Sequence, residues 1–195
     1  MFDTFIQLVI LFAVIFDPPA SFAVFLTASA SLKYKERKKM ATLALVVASG
    51  LSIAVILLGE GLLSLFSTTL NEFKIAGGII LTLLGIRMAM GYPMANLKAM
   101  KNNTGRAVAA IIGTPLLTGP AAITAIIVSV NDYGRILTTL AVALVLGITA
   151  IIFYQSKRLN KYLNATGIQV ITTVFGLITV AWGVKFMIAG LHAVW

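Results

Sequence analysis

Four stretches of this chain, Met40–Gly59, Ala107–Asn131, Ile136–Ser156 and Tyr162–Val184, contain no charged side chain. Each reaches the roughly 20 apolar residues a helix needs to cross the hydrocarbon of a bilayer. No water is available there to satisfy exposed backbone N–H and C=O groups, so such runs fold as helices that bond internally. Composition agrees. Hydrophobic residues make up 59% of the 195 and charged residues 11%, with a mean hydropathy of +1.01. A soluble domain carries about twice that share of charge. The fold class expected is an all-α, multi-pass membrane protein.

Two further segments complete the pattern. Ile75–Ile86 is shorter but continues past Arg87 through Met88–Gly91, and an arginine near a helix end can snorkel to the headgroups. The N-terminal apolar run is interrupted at Asp17-Pro18-Pro19 and then resumes. Six spans are therefore expected, at 2–31, 39–66, 71–92, 105–130, 135–156 and 166–192. The loops after spans 1, 3 and 5 hold Lys33, Lys35, Arg37, Lys38 and Lys39, then Lys98, Lys101 and Arg106, then Lys157, Arg158 and Lys161. The opposite side has Lys74 and Arg135 among Asp3, Glu72 and Asp132. Basic loops stay in the cytoplasm, which places both termini outside and accounts for the net charge of +9 without nucleic acid. Phe5–Phe16 followed by Ala28-Ser29-Ala30 loosely resembles a cleaved signal peptide, but Asp3, not a base, precedes it. A retained helix is the expectation.

The two halves of the chain repeat one another. Asp17-Pro18-Pro19-Ala20 corresponds to Gly119-Pro120-Ala121-Ala122, and Gly78, Gly85 and Arg87 correspond to Gly176, Gly183 and Lys185. Three spans per half is an odd number, so the second half enters the membrane from the other side. The expected architecture is one transmembrane domain over 1–195, built as two inverted three-helix repeats (1–95 and 104–195) joined by a cytoplasmic linker, 96–103. This is a plan common among secondary transporters. A glycine pair seven residues apart is by itself only a packing signal.

Proline removes an N–H and clashes with the preceding turn, yet suits the first turn of a new helix. Asp17-Pro18 thus reads as a stop and restart, with Asp17 as N-cap. Gly119-Pro120 reads the same way, with a second break at Thr114-Pro115 and residues 116–119 open to unwinding. Helices 1 and 4 are expected to be broken near the midplane. Half-helix N-termini suit a carboxylate and half-helix C-termini suit an ammonium, so a zwitterion fits both. The substrate-binding candidates are Asp17, Pro18, Pro19, Ala20 and Ser21 on one break, and Thr118, Gly119, Pro120, Ala121, Ala122 and Thr124 on the other. Ser21, Thr118 and Thr124 either line a polar cavity or bond to their own helix carbonyls. Phe16 and Phe22 are read as packing residues. Asp17 either caps its helix, binds a substrate amine or carries a coupling proton; Glu60 is a second proton-coupling candidate, read first as interfacial. Arg87 and Lys185 are read as anchors at opposite interfaces.

Other chemistries are excluded or weakened. There is no cysteine, and His192 is the only histidine. Thiol redox chemistry and thiolate or histidine metal sites are therefore ruled out, no cofactor is expected, and no second buried acid pairs with Asp17 for an intramembrane enzyme. No cluster of bases serves a phosphate substrate. The lining is Ala, Ser, Gly, Thr and Pro, which favours a small, net-neutral solute.

Asp17-Pro18, the run Phe73-Lys74-Ile75-Ala76-Gly77-Gly78-Ile79-Ile80-Leu81 and the run Pro115 to Thr124 resemble the MarC/SnatA family of prokaryotic integral membrane proteins. The resemblance covers the whole chain. It implies six transmembrane helices in the cytoplasmic (inner) membrane and transport of small neutral amino acids such as glycine and alanine, with proton coupling as an option. Many members have a longer polar stretch of the kind DP-I-G-N-x-P; here it is Pro18-Pro19-Ala20-Ser21-Phe22-Ala23, without the asparagine. The partners expected are a small zwitterionic solute, the lipid bilayer and protons. A channel or exporter on the same architecture is the alternative, a scaffold or sensor a further one. Transport direction and oligomeric state are left open.

Overall fold

The computed structural model describes residues 2–30, 32–65, 67–92, 112–159 and 165–192. Every regular element among them is helical. The N-terminal segment forms α1 (Phe2–Phe16) and α2 (Pro18–Ala28), with Asp17 between them. Then come α3 (Tyr34–Leu65) and α4 (Leu70–Ala89). A π-helical stretch (Ile112–Leu117) leads into α5 (Pro120–Tyr133), which turns at Gly134 into α6 (Arg135–Tyr154). The short α7 (Ser156–Leu159) and the long α8 (Ala165–His192) complete the chain.

Four helical segments are long and apolar enough to span a membrane: Phe2–Ala28, Tyr34–Gly59, Arg135–Tyr154 and Thr166–His192. The other two of the six expected spans do not join them among the described residues. The α4 segment has 20 residues, but its first turns carry Asn71, Glu72 and Lys74. The expected span 105–130 begins outside the described residues, as does the linker 96–103. One boundary is corrected. Lys35, Arg37, Lys38 and Lys39 were expected in a loop but occupy the first turns of α3. Glu36 starts that helix, its carboxylate accepting the Lys33 N–H at 3.0 Å, and Lys, Arg and Glu propagate a helix well once it has begun.

The core draws most heavily on α1, α2 and α5, with α3 and α6 contributing Ala44, Ala48, Ala141 and Val145 among others. In the first segment's apolar window 67% of residues are buried, against 28% in α8, so the interrupted segment is central and α8 peripheral. Phe12, Phe16, Phe22 and Phe25 are all fully buried, as is Leu117, and Phe25 stacks on Phe153 with ring centroids 4.6 Å apart. The outer face of α8 shows the opposite pattern. Val170, Val174, Leu177, Ala181, Val184, Ile188 and Leu191 are exposed at alternating four- and three-residue spacing, an apolar stripe for lipid to cover.

The most extensive helix contact is between α8 and α4. They run antiparallel: a Cβ on Gly190 would lie 2.6 Å from the Asn71 carbonyl oxygen, one on Gly78 2.6 Å from that of Gly183, and one on Gly85 2.6 Å from that of Gly176. Real Cβ atoms do not come that close to a carbonyl oxygen, so the glycines are what let the two backbones touch. Hydroxyls in this bundle largely satisfy themselves. Thr82, Thr124, Thr138, Thr149 and Thr179 each donate to the carbonyl four residues earlier, which removes a lone polar group from an apolar setting.

Candidate functional site

Asp17 sits between α1 and α2 with φ 40° and ψ 68°, in the left-handed region that Asp and Asn tolerate better than other side chains. The residue before a proline is steered away from the right-handed helix, and here two prolines follow. Because Pro18 and Pro19 carry no N–H, the carbonyls of Val14 and Ile15 lose their helical donors. In a continuous helix the Ala20 N–H would bond to the Phe16 carbonyl. Instead it donates to Asp17 Oδ1 at 3.2 Å, and Ser21 Oγ donates to the Phe16 carbonyl at 3.1 Å. The Ser21 N–H donates to the Asp17 carbonyl at 2.9 Å. Asp17 is therefore a working N-cap with Pro18 at the first helical position, as the sequence suggests.

The cap uses only part of the carboxyl group. Thr172 Oγ1 on α8 also donates to Oδ1, at 3.4 Å. Oδ2 is buried and has no hydrogen-bond partner. A buried oxygen left this way is costly, and such orphaned groups call for an explanation. Thr172 was not legible as a site residue. Its signal is faint: the pair Thr172-Thr173 is a polar interruption in an otherwise apolar helix.

The second break is built differently. Ile112–Leu117 is π-helical, with the Thr118 N–H donating to the Gly113 carbonyl at 3.2 Å. Leu116 and Leu117 thus remain in a widened helix instead of unwinding; only Thr118 and Gly119 leave the helical path. The widened turn fits because Gly113 lies against α3, where a Cβ would come within 2.6 Å of the Ala44 carbonyl oxygen. Gly119 is extended (φ −78°, ψ −177°), and α5 starts at Pro120 with no side-chain cap. Thr118 Oγ1 donates to the Ala48 carbonyl on α3 at 3.3 Å.

The fold packs the π-helical stretch against both α1 and α2, and α5 against α1. Among the described residues, the hydrogen bonds of the candidates do not run from one break to the other. Asp17 bonds to α8 and Thr118 to α3. Ser21 and Thr124 bond within their own segments, Thr124 to the Pro120 carbonyl at 3.0 Å, the plainer of the two readings offered for them. Pro18, Ala20, Ser21, Thr118, Ala121, Ala122 and Thr124 are buried, Pro19 and Gly119 half-buried and Pro120 exposed. Thr124 also presses on α4, where Gly77 leaves no room for a Cβ. Phe16 and Phe22 are core residues. The side chain of Glu60 lies outside the described residues. Arg87 and Lys185 are exposed, and Lys185 Nζ stands 4.4 Å from the centre of the Trp182 ring. No group of His, Asp and Glu among the described residues could hold a metal ion.

Comparison with known proteins points to an integral membrane protein. The family model described as MarC family integral membrane protein matches residues 2–195. A UPF0056 membrane protein of Methanocaldococcus jannaschii is 32% identical over 186 residues, covering 91% of each chain. The UPF0056 membrane protein YhcE of Escherichia coli is 30% identical over 160 residues, covering 75% of this chain and 74% of the relative. The UPF0056 inner membrane protein YhgN of the same organism is 25% identical over 190 residues, covering 96% and 95%. No solved structure matches the chain. With apolar helices long enough to span a bilayer and a family match over nearly its whole length, the chain belongs to the MarC family of integral membrane proteins.

Proposed function

We propose that this protein is a secondary transporter of small neutral amino acids of the glycine and alanine kind, working by alternating access with substrate held between its two helix breaks. The observation that carries this reading is the unequal capping of the two restarted helices. Asp17 fills the start of α2 and keeps Oδ2 free, whereas the start of α5 has no side-chain cap. A free carboxylate oxygen suits a substrate ammonium. Uncapped N–H groups at the positive end of a helix suit a carboxylate. The small side chains of Ala20, Ala121 and Ala122 favour a small solute.

In this reading the six segments form an inverted repeat, with the breaks of helices 1 and 4 near the midplane. Support comes from the α4–α8 contact. The offset of 98 residues that relates Gly78 to Gly176 and Gly85 to Gly183 also exchanges the Gly78–Gly183 contact with the Gly85–Gly176 contact. A twofold axis in the membrane plane would produce that exchange. The basic ends of the helices then face the cytoplasm of a prokaryotic cell, with both termini outside. Asp17 and Glu60 are the acids available for proton coupling.

The test is flux of labelled glycine into proteoliposomes of the purified protein, with and without an imposed pH gradient. Saturable flux that unlabelled alanine competes for is the expected result. Absence of saturable flux for any small amino acid would sink the proposal, and non-saturating flux or ionic current would favour the channel reading.

A further inference from the structure

The start of α3 holds a basic pocket that the proposed transport site does not use. A cavity of about 340 Å³ lies between the start of α3 and the α6–α7 junction, with Arg37, Lys38 and Tyr34 on one side and Tyr154 and Ser156 on the other. Its walls are amphipathic, because Leu32 and Phe153 line it as well. Arg37 is anchored there: one Nη2 hydrogen goes to the Ser29 carbonyl at 3.0 Å. Its Nε is buried and has no hydrogen-bond partner, and neither does the hydroxyl of Ser29, itself fully buried. Lys38 Nζ is 5.8 Å from the centre of the Tyr154 ring, and the Tyr154 hydroxyl meets Thr42 Oγ1 at 2.9 Å, so both walls are fixed. No carboxylate among the described residues lies within ion-pair distance of Arg37 or Lys38. Glu36, next to them in sequence, is held at its own helix start by the Lys33 N–H.

We propose that this pocket binds a phosphate group, carried by an anionic phospholipid of the leaflet at that end of the bundle. The guanidinium keeps hydrogen-bond donors free, and Arg–phosphate bonds are among the strong charge-assisted kind. The volume falls within the usual range for a ligand site, roughly 300–1,000 Å³. Leu32 and the exposed rings of Tyr34 and Tyr154 select a lipid over free phosphate, because an inorganic ion would leave this apolar surface uncovered while the glycerol and first acyl carbons cover it. Basic pockets between helices at this level are where lipid headgroups bind. The inference uses only this end of the fold and stands whether or not the transport proposal does.

The experiment is native mass spectrometry of the detergent-purified protein titrated with phosphatidylglycerol, with phosphatidylcholine as the neutral comparison. Three variants accompany it: Arg37→Gln, Lys38→Gln, which leaves the bond to Ser29 intact, and Lys35→Gln, an exposed base of the same helix outside the pocket. The expected result is a saturable phosphatidylglycerol adduct. Losing a charged hydrogen-bond partner should weaken it about tenfold in Arg37→Gln and several-fold in Lys38→Gln, with no change in Lys35→Gln. Equal weakening in all three variants would mean diffuse attraction to basic side chains and would overturn the proposal. So would full retention in Arg37→Gln and Lys38→Gln. Glycerol phosphate or inorganic phosphate that displaces the lipid at equal concentration would refute the lipid as the source of the phosphate.

Discussion

Replacing Asp17 tests the cap and the left-handed backbone together. Three substitutions separate the contributions. Asparagine keeps an oxygen for the Ala20 N–H (3.2 Å) and the Thr172 hydroxyl (3.4 Å) and tolerates φ 40°, so it should change stability by no more than about 0.5 kcal/mol. Glycine tolerates the backbone but loses the oxygen, for a loss of about 0.5 kcal/mol. Alanine fails on both counts. The missing cap costs about 1 kcal/mol and the left-handed conformation about 1–2 kcal/mol more. The total, about 2–3 kcal/mol, is roughly a 30- to 140-fold shift in the folding equilibrium. The assay is reversible unfolding in mixed dodecylmaltoside–SDS micelles, following the intrinsic tryptophan signal. The order expected is Asp near Asn, then Gly, then Ala. Alanine as stable as asparagine would refute the reasoning, because neither cap nor backbone would then matter. Asparagine as damaging as alanine would refute it differently, by making the charge and not the oxygen the stabilising feature. In proteoliposomes, Asp17→Asn should abolish glycine flux while the protein stays folded; unchanged flux and pH dependence would leave Asp17 a cap alone.

Gly85→Val should separate α4 from α8, since even a Cβ would fall 2.6 Å from the Gly176 carbonyl oxygen; we expect a loss of at least about 2 kcal/mol in the same unfolding assay. By contrast, Gly147→Ala meets nothing within 4 Å at a helical position and should raise stability by up to about 1 kcal/mol, as helix propensity alone dictates. Thr118→Val removes the bond to the Ala48 carbonyl and should cost about 0.5–1.5 kcal/mol, measured against Thr139→Val, whose hydroxyl bonds only within its own exposed helix face. The ion pair between Lys74 and Asp132 at 2.8 Å joins α4 to the end of α5. Its double-mutant-cycle coupling should stay near 1 kcal/mol or below and shrink with added salt.

Much of this molecule was readable residue by residue. The helical class follows from uncharged runs long enough to cross a bilayer, and the start of α2 from Asp17-Pro18, because an acid before a proline is both a cap and a steric stop. The Gly78/Gly85 and Gly176/Gly183 pairs were readable as packing signals, and they are where two helix backbones touch. The helical course of Lys35 to Lys39 was not readable, because bases beyond a hydrophobic run resemble a loop when only hydropathy is counted. The π-helical turn also escaped. Proline at 115 announces a fault in the helix, but whether the chain unwinds or widens depends on what packs beside it, here α3 against Gly113.

What the sequence determined by itself was therefore local: which segments become helices, where proline forces a restart, and which residue caps it. These depend on backbone sterics and on the loss of water in a bilayer, and both act over a few neighbouring residues. The tertiary structure alone decided that Asp17 meets Thr172, 155 positions away, and that its second oxygen stays free. It also decided that the hydroxyl of Thr118 goes to α3, while Arg37 is left with a buried donor and no acid. Those outcomes depend on which helix faces pack together, and helix packing is a property of the assembled bundle that no single segment encodes.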